Sequence, residues 1–320
     1  MIHTFNRVVM VRRYSNLCER VGETLIAVIS LMSILFMVLI VLFILKEGLA
    51  VLFNPAVKSE ASLRELFLKT VWQPISEPPK YSLLPLIVGT LKINFVSLLI
   101  ALPLGMLSAL FVSEKASDKL REFIKPTIEL LAGIPSVVIG FFCLTKVASW
   151  LAHAYQYTWL QEMFTPTRLN ALVGGIGISI AVVPITFTLC EEAIHNVPES
   201  YRIASMALGA TRWQTALHVV IPTAAPGLLA ATLLSFGRAW GETMIALMAT
   251  GNAPILDWNI FHSVRTLSAT VAAEIPETVV GSSHYHVLFF IGSILLIVSF
   301  VVNWLSQLAI SSLQRKFAGE

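Results

Sequence analysis

The amino-acid sequence predicts an all-α integral membrane protein that crosses the bilayer six times. Of its 320 residues, 56% are hydrophobic and 13% are charged, and the mean hydropathy is +0.78. A soluble domain carries about 25% charged residues, so membrane lipid is the expected surrounding. The apolar residues lie in runs of about 20, the length with which a helix crosses a hydrocarbon core of about 30 Å. The predicted spans are Glu23–Leu45, Gly89–Val112, Ile128–Trp150, Ala171–Leu189, Gly227–Ala249 and Val287–Ile310.

The first span is expected to stay attached as a membrane helix. Its apolar run from Leu25 to Leu45 is too long for the core of a secretory signal, and no small-x-small cleavage site follows. Outside the spans, twelve Lys and Arg residues lie on the side of the amino terminus and seven on the other side. This bias predicts that both termini are cytoplasmic. Residues 1–22 then form a cytoplasmic segment, 23–45 the first transmembrane helix, 46–84 a periplasmic loop and 311–320 a cytoplasmic tail.

Composition and motifs argue against several other classes of protein. The net charge is only +3 and no basic cluster occurs, so no nucleic acid is expected as a partner. Cys18, Cys143 and Cys190 are far apart, which favours neither disulfides nor a metal site. The sequence has no GxxxxGK[ST] loop, and its spans hold no HExxH motif or nucleophile–base set. The chain is therefore predicted to have no catalytic residue, to bind no cofactor or metal, and to rely on a partner for any use of ATP.

The predicted periplasmic loop has a helical half and an irregular half. Three prolines between residues 74 and 79 interrupt its second half. A short amphipathic helix is predicted in the first half, where it would either receive an external partner or lie at the lipid headgroups. Its apolar positions are Leu63, Leu66, Phe67 and Val71.

Two charged residues, Arg238 and Glu242, lie inside the fifth predicted span. Their spacing of four puts them on one face of a helix near mid-membrane, where a charge costs at least about 2.5 kcal/mol. One hypothesis is an ion pair that fixes helix packing, with Gly237 and Gly241 allowing a neighbouring helix to approach closely. The other is that Arg238 binds a passing anion, because a guanidinium matches phosphate oxygens in bidentate fashion. Glu242 would then hold Arg238 when no anion is present.

Other polar or helix-breaking residues of the spans have weaker interpretations. Gly133, Pro135 and Gly140 loosen the start of the third span, which fits either a transport path or a kinked helix that packs closely on a neighbour. Lys92 is expected to extend towards the outer membrane surface. Asn303 is expected to form a hydrogen bond between helices.

The segment from Cys190 to Pro226 predicts a compact docking element on the cytoplasmic side. Helix-favouring residues run from Glu199 to Leu208, Gly209 breaks the pattern, and a second amphipathic stretch runs from Arg212 to Ile221. Two short helices around a glycine turn suit insertion into a groove on a partner.

This segment resembles the signature of ABC-importer permeases, which reads EAA, three residues, Gly, nine residues, then I-x-L-P. The spacing is intact, but Ile203 replaces the glutamate. The resemblance implies that residues 198–222 form the coupling helix that inserts into the ATPase subunit. The positions implied in ATPase coupling are Ala204, Ser205, Gly209, Ala210, Ile221 and Pro222.

Two further stretches resemble the permease subunits of the high-affinity phosphate importer. They are "GRAWGETMIALMATGN" (237–252) and "ELLAGIPSVVIGFF" (129–142), while "TLSATVAAEIPE" (266–277) is closer to the C-type permease of that system. The resemblance covers about residues 85–310 and implies a type I ABC-importer permease core over that range, located in the cell inner membrane. It implies a substrate pathway with Arg238, Glu242, Thr243, Ser136 and Pro135.

The same resemblance implies several partners. They are a homologous second permease that completes a heterodimer, a dimer of ATP-binding cassette ATPases that uses the ATP, and a periplasmic phosphate-binding protein. Two alternatives remain open: import of another oxyanion (sulfate, molybdate or a phosphonate) through the same architecture, and an additional role in phosphate signalling.

Overall fold

The described part of the chain is mostly helical, with its longer connections at residues 69–83 and 250–266. The computed structural model describes residues 2–157, 159, 162 and 165–318, and the side chains of those between 22 and 311. Within these ranges, extended residues pair only in two isolated β-bridges. The helices in chain order are α1 (Ile2–Phe53), α2 (Pro55–Glu60), α3 (Leu63–Leu68), α4 (Leu84–Glu114), α5 (Asp118–Ala132), α6 (Ser136–Gln156), α7 (Ala171–His195), α8 (Glu199–Ala207), α9 (Arg212–Trp240), α10 (Met244–Ala249), α11 (Leu267–Glu274) and α12 (Ser283–Ala318).

Six helices of the described part of the chain are long and apolar enough to cross a membrane. They confirm the predicted all-α fold with six membrane spans. The orientation stays a prediction; following it, we call the end of the bundle that carries the loop 250–266 the outer end and the end that carries α8 the inner end. The six segments are Gly22–Phe53, Leu84–Glu114, Ser136–Gln156, Ala171–His195, Arg212–Trp240 and Ser283–Ser311.

The third span begins later than the sequence pattern indicated. The prediction started it at Ile128, but α5 ends at Ala132 and α6 begins at Ser136. Pro135 lies between them with ψ 135°, an extended conformation that a helix cannot include. Helix α5 has no fully buried residue, but Ile124 and Ile128 pack against the core, so it lies on the surface of the bundle as a separate amphipathic element.

The fifth span is displaced in the opposite direction. The prediction was Gly227–Ala249, whereas the helix runs without interruption from Arg212 to Trp240 over 29 residues. A π-helical turn at Ala216–Val220 precedes Pro222. The wider turn accommodates a proline, which would otherwise clash with the preceding helical turn and remove a hydrogen bond. The second short helix predicted for the docking element is therefore the first part of a membrane span.

Helices α4, α7 and α9 form the centre of the bundle. A Cβ on Gly105 of α4 would lie 2.7 Å from Cβ of Thr186, so α4 and α7 meet at a distance that only glycine permits. The Thr186 hydroxyl in turn lies 2.8 Å from the Ser235 hydroxyl of α9. This buried hydrogen bond links the two helices in the interior of the membrane region.

The segment 46–84 folds onto the outer end of α12. Leu66 and Trp72 are buried in one apolar cluster with Leu288 and with Trp240, the last residue of α9. Trp72 Nε1 also donates to Glu274 Oε1 at 3.1 Å. Of the four positions predicted to form an apolar face, only Leu66 is fully buried; the exposed ones are Leu63, Phe67 and Val71. The segment therefore packs on its own chain through Leu66 and Trp72 and leaves the other three positions exposed.

Lys92 reaches the outer end of the bundle, but it is buried rather than in water. The residue is 4% exposed, and its Nζ lies 2.5 Å from Asp257 Oδ1 and 3.0 Å from the carbonyl oxygen of Asn259. His262 Nδ1 lies 2.5 Å from the other carboxylate oxygen of Asp257. The cluster thereby fastens the outer loop to α4.

Asp257 lies outside the spans and makes the stability of this loop dependent on pH. Burial raises the pKa of the carboxyl, but hydrogen bonds and charges from Lys92 and His262 outweigh burial and lower it below 3.8. A lowered pKa stabilises the folded protein at pH values above the pKa of the unfolded chain, and this stability is lost as the pH falls through the pKa of the folded protein.

We expect Asp257→Asn to lower the Tm at neutral pH, with the difference from wild type shrinking below about pH 4. A difference independent of pH in thermal denaturation would contradict this.

Candidate functional site

Arg238 and Glu242 form an ion pair at the outer end of α9. Arg238 Nη1 donates to Glu242 Oε2 at 2.6 Å. The Glu242 side chain is 4% exposed, whereas that of Arg238 is 41% exposed. A guanidinium carries five N–H donors in a planar fork. The buried carboxylate therefore binds one nitrogen of a guanidinium that is otherwise partly exposed.

A break in the helix, rather than a continuous helix, places these two residues together. Helix α9 ends at Trp240, Gly241 is its carboxyl-terminal cap, and α10 begins at Met244. Glu242 therefore lies in the connection between two helices. Its backbone carbonyl accepts a hydrogen bond from Ser268 of α11 at 2.9 Å. The position of the carboxylate is thus set by α9 and α11 together.

The close helix approach predicted at Gly237 and Gly241 is not found within this chain. A Cβ on Gly237 would lie 3.4 Å from Val302, and one on Gly241 would lie 3.8 Å from the Gly237 carbonyl. Both are ordinary van der Waals distances. The glycines therefore leave the surface beside Arg238 open.

The ion pair lies near a buried contact between two spans. Ser235, hydrogen-bonded to Thr186 of α7, precedes Arg238 by about one helical turn. Arg238 lines a cleft of about 200 Å³ between α9 and α12. Its other lining residues are Leu234, Gly237, Ser299, Val302 and Asn303.

A second cleft continues from the first. It has a volume of about 410 Å³ and is lined by Thr243 and Ser268, while Ser299 of α12 lines both clefts. Thr243 Oγ1 donates to the Gly241 carbonyl at 3.2 Å. The structure thus places Arg238 and Thr243, two of the residues predicted for the substrate pathway, in two clefts that share Ser299, while the buried Glu242 reaches the site through its ion pair with Arg238.

Pro135 and Ser136, the other two predicted pathway residues, lie at the start of α6. Pro135 is the amino-terminal cap and is exposed, and Ser136 is half-buried. Helix α6 packs on α10, where a Cβ on Gly140 would lie 3.3 Å from Cα of Ile245. The two residues therefore belong to an element beside the site without contacting Arg238.

Ser299 and Asn303 of α12 line the site but were not predicted as part of it. Asn303 was expected to form a hydrogen bond between helices; the side-chain contacts described for residues 22–311 include none for it. Both side chains are exposed, and the exposed residues directly beside them in the helix are apolar: Phe300, Val301, Trp304 and Leu305. Two polar residues four apart in an apolar span could have indicated this lining.

The segment predicted to couple to the ATPase, residues 198–222, contains one separate helix, α8, followed by a tight turn. Gly209 has φ +91°, a left-handed conformation that suits glycine. Thr211 then caps α9: its hydroxyl accepts from the Gln214 amide, and the Gln214 side chain accepts from the Thr211 amide. Ser205 in α8 lies 2.9 Å from Thr215 in α9, hydroxyl to hydroxyl.

Most of helix α8 is exposed, and only Arg202 and Ser205 are half-buried. It has no buried residue, and Ile203 and Leu208 are 58% and 90% exposed. Of the residues predicted for ATPase coupling, Ala204 is exposed at the inner end, while Ala210 is half-buried. Ile221 is half-buried and Pro222 exposed, both in the first part of α9. Where the signature has a charged residue, this chain presents an apolar one.

Comparisons with known proteins agree with these features. Residues 101–315 match the family described as "Binding-protein-dependent transport system inner membrane component". The "Probable ABC transporter permease protein YqgH" of Bacillus subtilis is 34% identical over 295 residues, 92% of each chain. The "Phosphate transport system permease protein PstC" of Mesorhizobium japonicum is 32% identical over 242 residues, 72% of this chain and 73% of the relative.

A further relative is named as a phosphate permease. The "Probable phosphate transport system permease protein PstC" of Methanocaldococcus jannaschii is 29% identical over 276 residues, 83% of this chain and 87% of the relative. The family match and the six apolar helices confirm the predicted multi-pass membrane location. With its family match over two thirds of the sequence, the chain belongs to the inner membrane components of binding-protein-dependent transport systems, the ABC-importer permeases.

Proposed function

We propose that this chain forms, with a homologous second permease, the membrane pathway of an ATP-driven importer of inorganic phosphate. Two ATPase subunits docked at α8 hydrolyse the ATP, and a periplasmic phosphate-binding protein delivers the anion at the outer end. Relatives named as phosphate permeases support the substrate, and Arg238 supplies the chemistry. This chain itself is a transport subunit and not an enzyme.

The half-exposed guanidinium of Arg238 carries the proposal. A charged side chain inside a membrane span is costly unless it faces water, a partner or a substrate. Arg238 lines a cleft of about 200 Å³ and offers donors beyond the one used by Glu242. A tetrahedral oxyanion can accept two parallel N–H bonds from such a fork. Arg238 thus provides a transient binding position for phosphate between the outer and inner ends.

Glu242 keeps this binding weak enough for transport. An arriving anion meets a guanidinium already paired at 2.6 Å with a buried carboxylate. The carboxylate repels the anion and competes for the same cation, so the anion gains less from binding and leaves readily. Selectivity then rests mainly with the binding protein, and Arg238 governs the rate of passage.

Helix α9 connects ATP hydrolysis to this position. It extends from Arg212, beside the coupling helix, to Trp240, two residues beyond Arg238. A helix of 29 residues is about 44 Å long at 1.5 Å per residue. When the ATPase dimer closes on ATP, a displacement of the inner end of α9 tilts the segment that carries Arg238. The pathway then opens alternately to the two sides of the membrane.

Uptake of radiolabelled phosphate tests the substrate. Cells lacking their own phosphate permease receive this chain with its partner subunits. We expect uptake that excess unlabelled phosphate abolishes and that excess sulfate or molybdate leaves unchanged. Inhibition by sulfate or molybdate instead, or no phosphate uptake by a chain that reaches the membrane, would refute phosphate as the substrate.

Asn303 is expected to contribute a weaker contact to the same anion. Replacing Asn303 with valine removes one neutral hydrogen-bonding group, worth about 0.5–1.5 kcal/mol, and should lower uptake about two- to tenfold. Replacing Val301, which is exposed and does not line the cleft, with leucine is the control for a changed side chain on α12. Equal uptake by wild type and Asn303→Val would show that Asn303 does not contact the substrate.

A further inference from the structure

Helix α8 is attached to the bundle by few contacts. None of its residues is buried, and a cleft of about 690 Å³ lies beside it. The cleft is lined by residues of α8 and of the inner ends of α4, α7 and α9, among them Glu114, His195, Arg202 and Thr215. Apolar packing is therefore a minor part of this junction. The polar side chains of α8 are therefore its main mechanical connection to the membrane spans.

Arg202 provides the most extensive of these polar contacts. Its Nη2 donates to Glu114 Oε1 at 2.9 Å and to the Ile194 carbonyl at 2.9 Å, and Nε donates to the same Glu114 oxygen at 3.2 Å. Its Nη1 donates to the Val197 carbonyl at 2.6 Å. Glu114 is the last residue of α4, and Ile194 lies in the last turn of α7. One guanidinium thus joins α8 to two membrane spans.

The chemistry of this contact favours a rigid connection. The last carbonyls of a helix have no partner within the helix, and a positive charge there is favourable for the helix dipole. Arg202 satisfies both conditions at α7, and its side chain and that of Glu114 are each only 13% exposed. Lysine has no planar fork and cannot reach these acceptors in the same arrangement.

A second polar contact joins α8 to α9. The Ser205 hydroxyl lies 2.9 Å from that of Thr215, which is buried in the first turn of α9. Arg202 and Ser205 therefore connect α8 to different spans. Arg202 holds α4 and α7, and Ser205 holds α9.

We infer that Arg202 is a positioning residue that transmits the movement of α8 to α4 and α7. This inference rests on the proposed role of α8 as the ATPase-coupling helix. Without Arg202, closure of the ATPases moves α8 and α9 while α4 and α7 stay behind, so ATP is hydrolysed without completing the transition of the pathway. Glu114 is the partner residue on α4.

Lys125 provides a matched control. Its Nζ lies 2.9 Å from Glu191 Oε2, an ion pair near the inner end that joins α5 to α7 without involving α8. Lys125→Gln removes a cation of the same region but leaves the coupling junction intact. A general effect of lost charge would appear in Lys125→Gln as well as in Arg202→Gln.

The first experiment measures transport per ATP. The complete complex, with its partner permease, ATPases and binding protein, is reconstituted in proteoliposomes, and phosphate uptake and ATP hydrolysis are measured in the same preparation. We expect Arg202→Gln to lower phosphate transported per ATP about fivefold or more, in line with typical coupling between sites. Glu114→Gln should give a smaller loss, because Arg202 retains its carbonyl partners. Lys125→Gln should match wild type.

The second experiment needs no phosphate and so separates this inference from the substrate assignment. Thr243→Cys, in a chain whose native cysteines are replaced by alanine, is labelled with a membrane-impermeant maleimide with and without ATP and vanadate. We expect nucleotide trapping to change the labelling rate when Arg202 is present, and this change to be lost with Arg202→Gln and kept with Lys125→Gln.

Clear outcomes would overturn the inference. One is an assembled Arg202→Gln complex with unchanged transport per ATP and a normal labelling response. Another is an equal loss in Lys125→Gln. If the Arg202→Gln complex does not assemble, the Glu114→Gln complex is tested instead, because it keeps the arginine. An unchanged amount of phosphate transported per ATP in that complex would refute a role of the Arg202–Glu114 contact in coupling.

Discussion

Replacing Arg238 with glutamine is expected to lower phosphate uptake about 10- to 100-fold, since a hydrogen bond to a charged group contributes about 1.5–3 kcal/mol and 1.4 kcal/mol corresponds to a factor of ten. Glutamine keeps much of the length of the side chain but removes the charge and the planar fork. The measurement is initial uptake rate in cells, normalised to the amount of permease in the membrane. Uptake equal to wild type would make Arg238 a packing ion pair only.

Two further variants separate charge from geometry at this position. Arg238→Lys keeps the charge, so uptake between those of wild type and Arg238→Gln would show that the fork matters as well. Glu242→Gln removes the competing carboxylate and frees the guanidinium. We expect it to lower the apparent KM for transport together with the maximal rate, because the anion is held more tightly and released more slowly. A raised KM would contradict the proposed competition.

Replacing Gly209 with valine is expected to lower uptake about 5- to 30-fold, the factor that corresponds to roughly 1–2 kcal/mol of backbone strain. Gly209 has φ +91°, and no atom lies within 4 Å of the position that a Cβ would occupy. Within this chain, a Cβ at position 209 therefore meets no steric clash. The strain would be relieved by moving α8 relative to α9, which separates the coupling helix from the span that carries Arg238. ATP hydrolysis by the assembled complex should continue.

Asparagine at position 209 is the matched control for this prediction. Among non-glycine residues, asparagine enters the left-handed region several times more readily than most. Gly209→Asn should therefore retain most of the uptake that Gly209→Val loses, although it adds a polar side chain of similar volume. Equal uptake by both variants would show that the conformation of Gly209 is not required for coupling.

The outer cluster around Trp240 gives the site a fixed support. Trp240 belongs to an apolar cluster with Leu66, Trp72 and Leu288, and it follows Arg238 by two residues. The outer end of α9 is thereby held by the 46–84 segment and by α12, while the inner end begins beside α8. A helix that is fixed at one end and driven at the other responds by tilting, which is the motion that alternating access requires.

Local sequence properties predicted several features correctly. The number of spans follows from the length of the apolar runs, because a membrane helix needs about 20 such residues whatever its neighbours are. The pairing of Arg238 with Glu242 follows from their spacing, although the helix ends between them and the contact survives through the turn at Gly241. Gly209 as a turn follows from the rarity of positive φ in other residues.

Contacts between residues that are far apart in the sequence could not be predicted from local sequence properties. Arg202 and Glu114 are 88 residues apart, and Lys92 and Asp257 are 165 apart. Hydropathy and spacing show that a polar residue lies in or near a span, but its partner depends on how the helices pack. For this reason the sequence predicted that Lys92 extends into water and did not connect Asn303 with Arg238.

By itself, the sequence determined that this protein is a six-span membrane protein with a charged pair in its interior and a glycine turn on one loop. These are properties of hydrophobic length, charge and backbone conformation that act over a few neighbouring residues. Tertiary structure decided that α9 is continuous from the coupling loop to Arg238, that Ser299 and Asn303 line the cleft beside Arg238, and that Arg202 joins α8 to α4 and α7. Each of these depends on which helices meet and at what depth, because a hydrogen bond or a cleft exists only where distant parts of the chain come within a few ångströms of each other.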